Sequence, residues 1–82
     1  MSDTPTTEDI AQHYKAMGDS VDLINAVIAG TQLADDTVEG RKDCVDRNVR
    51  HLEVMVTRDY WTTEDMTASN AAITAGKNYI AS

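Results

Sequence analysis

Large apolar side chains recur at alternating steps of four and three residues along the chain. The first and most regular run is Ile10, Tyr14, Met17, Val21, Ile24 and Ile28. The second is Val38, Val45, Val49, Leu52 and Val56, and the third is Met66, Ile73 and Ile80. Steps that sum to seven return to the same side of an α-helix, so each run predicts an amphipathic helix with one apolar stripe. We therefore expect an all-α three-helix bundle, with helices over residues 7–29, 37–58 and 63–80, mostly antiparallel because the connections are short.

The predicted helix starts carry capping signals. Segments 6–10 and 62–66 have nearly the same sequence, a threonine pair followed by Glu-Asp and an apolar residue. The first threonine can cap the helix while the aspartate three residues on reaches back to the cap backbone, which is a capping-box arrangement. For the second helix, Asp36 with Glu39 at the third helical position predicts a similar start. We interpret the repeated signal as convergence on a good helix start.

Glycine and tryptophan mark the other boundaries. Gly30 is well placed to end helix one in the left-handed conformation. Gly18 interrupts helix one, either as a surface glycine or where a neighbouring helix approaches closely. Trp61 precedes the Thr62 cap, and Met66 follows that cap by four residues, which is the spacing of a hydrophobic staple and indicates a structural role for the only tryptophan.

The whole chain, residues 1–82, is expected to form a single small domain with a thin core. Residues 1–5 are expected to be a disordered arm. Gly76 offers an alternative end for helix three, which would leave residues 76–82 as a docking tail.

The second half of helix one is more apolar than a single stripe requires. Either the other two helices cover this surface, or it binds a second chain. We therefore take Leu23, Val27 and Ile28 as candidate partner-binding residues, for a protein partner or for self-association. Tyr79 and Ile80 in the docking tail form a second candidate surface.

The net charge of −7 is unevenly distributed. Residues 1–40 hold eight acids and one base, whereas residues 41–59 hold five bases and four acids. Acid–base neighbours three or four residues apart are expected to interact on an exposed face of helix two, namely Asp43 with Arg47, Asp46 with Arg50, and Arg50 with Glu53. This balance disfavours nucleic acid as a partner. It also leaves open an alternative function, in which the acids imitate nucleic acid and block a nucleic-acid-binding protein. The candidate residues for that function are Asp19, Asp22, Asp35 and Asp36.

No constellation of residues predicts an enzyme or a small-molecule substrate. Cys44 and His51 are seven residues apart, two helical turns, which is too far for a direct hydrogen bond; His13 on helix one is the other candidate base. We read Cys44 as a half-buried thiol beside an ordinary histidine. No zinc or calcium spacing and no phosphate-binding loop occurs, so no metal and no cofactor is expected.

The segments Asn48–Glu53 and Asp59–Met66 resemble small proteins from tailed phages, particularly phages of marine bacteria. The resemblance covers the second half of the chain, and its motif is tied to no activity. It implies a phage-encoded protein, either a minor virion component or an early protein acting on the host. We expect a non-enzymatic helical interaction module, a minor structural protein of the phage particle, located in the virion or the host cytoplasm. The acidic N-terminus does not have the pattern of a signal peptide, and no apolar run is long enough to span a membrane.

Overall fold

The computed structural model describes residues 6–31 and 37–82, which form three α-helices. The helices are α1 (Thr7–Ala29), α2 (Val38–Met55) and α3 (Thr63–Ala81). Each helix packs against both of the others. Helices α1 and α3 run parallel, because Met17 contacts Ser69 and Ile24, further along α1, lies near Gly76, further along α3. The prediction of an all-α three-helix bundle is confirmed. The predicted arm at residues 1–5 lies outside the described residues.

Both ends of α1 follow the prediction. The Thr6 hydroxyl accepts a hydrogen bond from the backbone N–H of Asp9 at 3.1 Å, and the Asp9 carboxylate accepts one from the Thr6 N–H at 3.2 Å. At the other end, Gly30 adopts the left-handed conformation with φ of 79°. Its N–H and that of Thr31 donate to carbonyls of the last turn, which would otherwise lack partners.

Helix α2 begins and ends differently from the prediction. Its cap is Thr37, whose hydroxyl accepts from the Gly40 N–H at 2.9 Å, so the prediction of Asp36 as the cap is wrong by one residue. The helix also stops at Met55 and not at Arg58. The reason is that the N–H groups of Thr57 and Arg58 donate to carbonyls three residues earlier, which tightens the last turn out of α-helical geometry.

Helix α3 begins with the predicted capping box between Thr62 and Asp65 and continues through Gly76 to Ala81. The alternative end at Gly76 is therefore wrong, and residues 76–82 are not a free tail. Gly76 is buried because it lies where α3 touches α2. A Cβ atom built on it would lie 2.5 Å from Val49 Cγ2 and 3.1 Å from Val45 Cγ1. Glycine is required here by the close approach of two helices.

The core lies on the facing sides of the three helices. Its buried apolar residues are Met17, Val21, Ile24, Val27, Val45, Val49, Leu52, Met55, Trp61 and Ala72. Trp61 belongs to the connection between α2 and α3, and its indole N–H donates to the Met55 carbonyl at 2.8 Å. The indole therefore satisfies a carbonyl in the last turn of α2. Met66 packs on this core from the first turn of α3. The predicted structural role of Trp61 is confirmed.

Candidate interaction surface

The three candidate partner-binding residues on α1 do not form one surface. Val27 belongs to the core, with 3% of its surface exposed, so it cannot contact a partner without unfolding the helix. Leu23 is half-buried against the core, and Ile28 is 39% exposed. At about 100° per residue, Leu23 and Ile28 point in directions roughly 140° apart. The expectation of a shared surface is wrong for Val27, because α2 and α3 cover that side of α1.

Tyr79 and Ile80 lie in the last turn of α3, where both are half-buried and pack against the core. They do not form an independent hook. Tyr79 follows Ala68 by eleven residues, close to three helical turns, so these two residues lie on the same side of α3. Ile80 lies on the side that carries Ile73, seven residues earlier. The two tail residues therefore face different neighbours.

Polar side chains bridge all three helix pairs. Between α1 and α3, the buried Ser69 hydroxyl donates to Met17 Sδ at 3.8 Å. Between α1 and α2, the Ser20 hydroxyl and His51 Nδ1 are joined by a 2.8 Å hydrogen bond. Between α2 and α3, Lys77 Nζ lies 2.9 Å from a Glu53 carboxylate oxygen. We expected Glu53 to interact with Arg50 on its own helix. In the structure, Glu53 pairs instead with Lys77 on α3. Among residues 6–31 and 37–82, no ion pair joins α1 to α3.

An open apolar groove follows the contact between α1 and α3. Its central part has a volume of about 160 Å³ and is lined by Tyr14, Met17, Gly18, Val21, Asp22, Asp65, Ala68 and Ser69. A second, more open part of about 280 Å³ continues toward the start of both helices and is lined by Thr7, Ile10, Ala11, Tyr14, Trp61 and Asp65. Tyr14 and Asp65 line both parts. We call the two parts together the α1–α3 groove.

Two features of α1 keep the groove open. Gly18 is exposed, and a Cβ atom built on it would meet no atom within 4 Å, so no helix of this chain approaches it. The interpretation of Gly18 as a surface glycine is confirmed. Tyr14 is 51% exposed, with its ring centroid 5.9 Å from that of Trp61. Tyrosine and tryptophan that combine apolar area with a polar edge are typical of protein interfaces.

The helices that form the groove carry most of the described negative charge. Helix α1 has four acids and one base, α3 has two acids and one base, and α2 has four of each. The groove lining includes Asp22 and Asp65 and no basic residue. Two of the acids on α2 form exposed ion pairs with arginines one turn on, Asp43 with Arg47 and Asp46 with Arg50, as predicted. Helices α1 and α3 thus carry the net negative charge of the three helices, and two of their carboxylates line the groove.

Of the four acids proposed to imitate nucleic acid, two lie within the described residues. Asp19 pairs with Lys15 on the surface at 3.1 Å, and Asp22 lines the α1–α3 groove. Asp35 and Asp36 lie outside the described residues. A run of carboxylates spaced like phosphates therefore cannot be built from the described part of this set.

The candidate chemical residues are each used in packing. His13 Nδ1 and the Tyr60 hydroxyl are 2.7 Å apart, which ties α1 to the connection between α2 and α3. His51 bonds to Ser20, as described above. Cys44 is half-buried and free, and lies within 3.8 Å of the Asn48 amide nitrogen on its own helix. Within the described ranges, no group of three or more histidine, cysteine or carboxylate side chains could hold a metal ion.

The fold and this surface define a small, acidic, all-α bundle with an open apolar groove between α1 and α3. Within residues 6–31 and 37–82, no helix has both the length and the apolar character needed to cross a bilayer. Comparison of the chain with protein-family models, with curated proteins and with solved structures finds no match.

Proposed function

We propose that this chain is a non-enzymatic helical module that binds another protein. The observation that carries the proposal is the α1–α3 groove, in which half-exposed Tyr14 lies beside buried Trp61 and exposed Gly18. Covering a large apolar side chain contributes about 1.5–3 kcal/mol when burial is complete. A domain of this size has a free energy of unfolding of about 5 kcal/mol. A partner that covers this groove would therefore stabilise the folded chain by an amount comparable to a large part of that free energy.

The groove replaces the surface expected from the sequence. Val27 is unavailable, whereas Ile28 follows Val21 by seven residues and so lies on the same side of α1 as the groove. Tyr79 lies on the groove side of α3 by the same reasoning from Ala68. Two of the five predicted partner-binding residues thus extend the same face, and they supply additional apolar area beyond Val21.

Site-specific photo-crosslinking tests this function. A photoreactive phenylalanine analogue replaces Tyr14 in one variant and Asn70 in a control, in cells that naturally make the chain. Asn70 is exposed on α3, seven residues before Lys77, on the side away from the groove. The proposal expects a discrete crosslinked protein from position 14 and none from position 70. The same analogue is also placed at Ile28 and at Tyr79, which extend the groove side. If none of the three groove positions yields an adduct, the proposal fails.

The resemblance to proteins of tailed phages leads to a narrower proposal, that the module is a minor structural component of a phage particle. The support is the resemblance of segments 48–53 and 59–66, together with an apolar groove suited to docking on a larger assembly. Mass spectrometry of purified particles should detect the chain at a fixed copy number per particle. Detection early in infection with absence from particles would favour an early protein acting on the host and would contradict this proposal.

The acidic-mimic alternative has less support from the described residues. Asp19 is paired with Lys15 on the surface, and Asp22 borders an apolar groove instead of an acidic stripe. We therefore propose a single function for the chain.

A further inference from the structure

We infer that the α1–α3 groove binds one amphipathic helix of a partner protein, with an apolar stripe and with lysine or arginine on its flanks. This inference rests on the proposed function and adds the chemistry of the partner. It follows from the shape of the groove and from its charge.

The shape of the groove fits a helix. Its lining extends along α1 from Thr7 to Asp22, fifteen residues apart, or about 22 Å at 1.5 Å per residue. A helix of about fifteen residues spans that length. The buried Met17, Val21 and Ser69 form its floor. Small exposed residues, Gly18 on α1 and Ala68 on α3, border it and allow the axis of another helix to approach closely. A fourth helix lying between two parallel helices would complete a four-helix bundle.

The charge of the groove predicts basic residues on both sides of the apolar stripe of that helix. Asp22 borders α1 near one end, Asp65 borders α3 where the two parts meet, and no lysine, arginine or histidine lines either part. Because α1 and α3 run parallel, their first turns point toward the same end of the bundle, and these turns hold Glu8 and Asp9 on α1 and Glu64 and Asp65 on α3. Basic residues on the two flanks of a docked helix would therefore face Asp22 on the α1 side and Asp65 on the α3 side.

A second copy of this chain fits the groove less well. In a two-fold dimer the same patch faces itself, so Asp22 and Asp65 of one copy would approach the carboxylates of the other. Helix α2 carries the most bases, but its charges balance, and Arg47 and Arg50 are already paired with acids on the same helix. The uncompensated negative charge of α1 and α3 therefore favours a basic partner.

A designed peptide is a suitable probe. It has sixteen residues, leucine and alanine at helical spacing on one side, lysine on the flanks and no tryptophan. Trp61 is the only tryptophan of the chain and lines the groove, so its fluorescence reports binding at this site. A scrambled peptide of the same composition, which lacks the apolar stripe, separates helix recognition from general attraction of a cation to an acidic protein.

Two lysine substitutions give a matched test of the site. Gly18→Lys places bulk and positive charge in the groove at a position with space for a side chain, and lysine favours the helix over glycine. Asn70→Lys adds the same charge to exposed α3 surface on the far side. We expect Gly18→Lys to weaken peptide binding at least tenfold and Asn70→Lys to change it less than threefold. Thermal unfolding of each free variant shows that it is folded.

Each outcome decides the inference. Saturable binding of the patterned peptide, lost in Gly18→Lys and weakened by raising salt from 50 to 500 mM, supports it. Equal binding by wild type and Gly18→Lys, equal binding of the scrambled peptide, or no binding at millimolar peptide overturns it. Concentration-dependent dimerisation of the free chain that Gly18→Lys abolishes would overturn it in favour of a second copy. A crosslink from position 14 with no binding of the peptide would leave the proposed function standing and would reject the basic helix alone.

Discussion

Replacing Gly76 by alanine should destabilise the bundle, although alanine is the better helix former. In an open helix position the substitution would stabilise by about 1 kcal/mol. At Gly76, however, the new methyl would lie 2.5 Å from Val49 Cγ2 and 3.1 Å from Val45 Cγ1. Both valines are buried and belong to α2, and a β-branched side chain in a helix has one strongly preferred rotamer. The clash is therefore relieved by moving α3 away from α2.

The expected magnitude follows from these two terms. Overpacking a close-packed core costs about 1–3 kcal/mol, and a contact this short between stiff side chains belongs at the upper end. After the gain in helix propensity, the net loss is about 2 kcal/mol. For a domain of this size that corresponds to a fall in Tm of roughly 8–16 °C. Urea unfolding and differential scanning calorimetry both measure it.

Gly18→Ala is the matched control, because the same substitution there meets no atom within 4 Å. It should stabilise the chain by about 1 kcal/mol. In the pair Gly76→Ala with Val49→Ala, the second substitution removes the clashing methyl, so the combined loss should be smaller than the sum of the two single losses. If Gly76→Ala is as stable as wild type, or if it gains stability as Gly18→Ala does, the described contact between α2 and α3 is wrong.

Three further substitutions test other parts of the fold by urea unfolding. Trp61→Phe keeps a ring in the core but removes the indole donor to the Met55 carbonyl, which keeps its bond from the Arg58 N–H, and should cost about 0.5–1.5 kcal/mol; an unchanged stability would show that the indole bond does not stabilise the end of α2. Thr62→Ala should cost about 1 kcal/mol through loss of the cap, whereas Thr67→Ala inside α3 should cost nothing; equal effects would argue against the capping box. Gly30→Ala should cost about 1 kcal/mol because its φ is positive, and a gain in stability would contradict the left-handed end of α1.

Local signals predicted the helices well because they act over a few residues. The caps at Thr6 and Thr62 and the end at Gly30 depend only on side chains and backbone within one turn, and all three are confirmed. The error at Asp36 has the same local origin, since Thr37 is an equally good cap one residue on. The end of α2 depends on the N–H groups of Thr57 and Arg58, which donate to carbonyls three residues earlier, and the apolar spacing, which continues to Val56, does not indicate this change.

Packing between helices was harder to predict than helix position. Val27 and Ile28 are adjacent and equally apolar, yet only Val27 is buried, because α2 and α3 cover one side of α1. Gly76 looked like a helix end, and its real role depends on Val45 and Val49, which lie about thirty residues away in the chain. The groove depends on Gly18 and Ala68 lying opposite each other, a relation between helices that no periodicity within one helix contains. The apolar surplus on helix one led to the prediction of a binding surface, but it does not reveal which side of that helix α2 and α3 cover.

The central claim is that a partner binds in the α1–α3 groove. The most direct test is to map the changes in backbone amide chemical shifts in the ¹⁵N NMR spectrum when a ligand is added. The patterned basic peptide is titrated into the labelled chain, and shifts are followed at every amide and at the Trp61 indole. We expect the largest changes at Gly18, Ala68 and the Trp61 indole, with the exposed side of α2 unchanged. Changes concentrated between Arg41 and Arg50, with Gly18 and Ala68 unmoved, would contradict the claim.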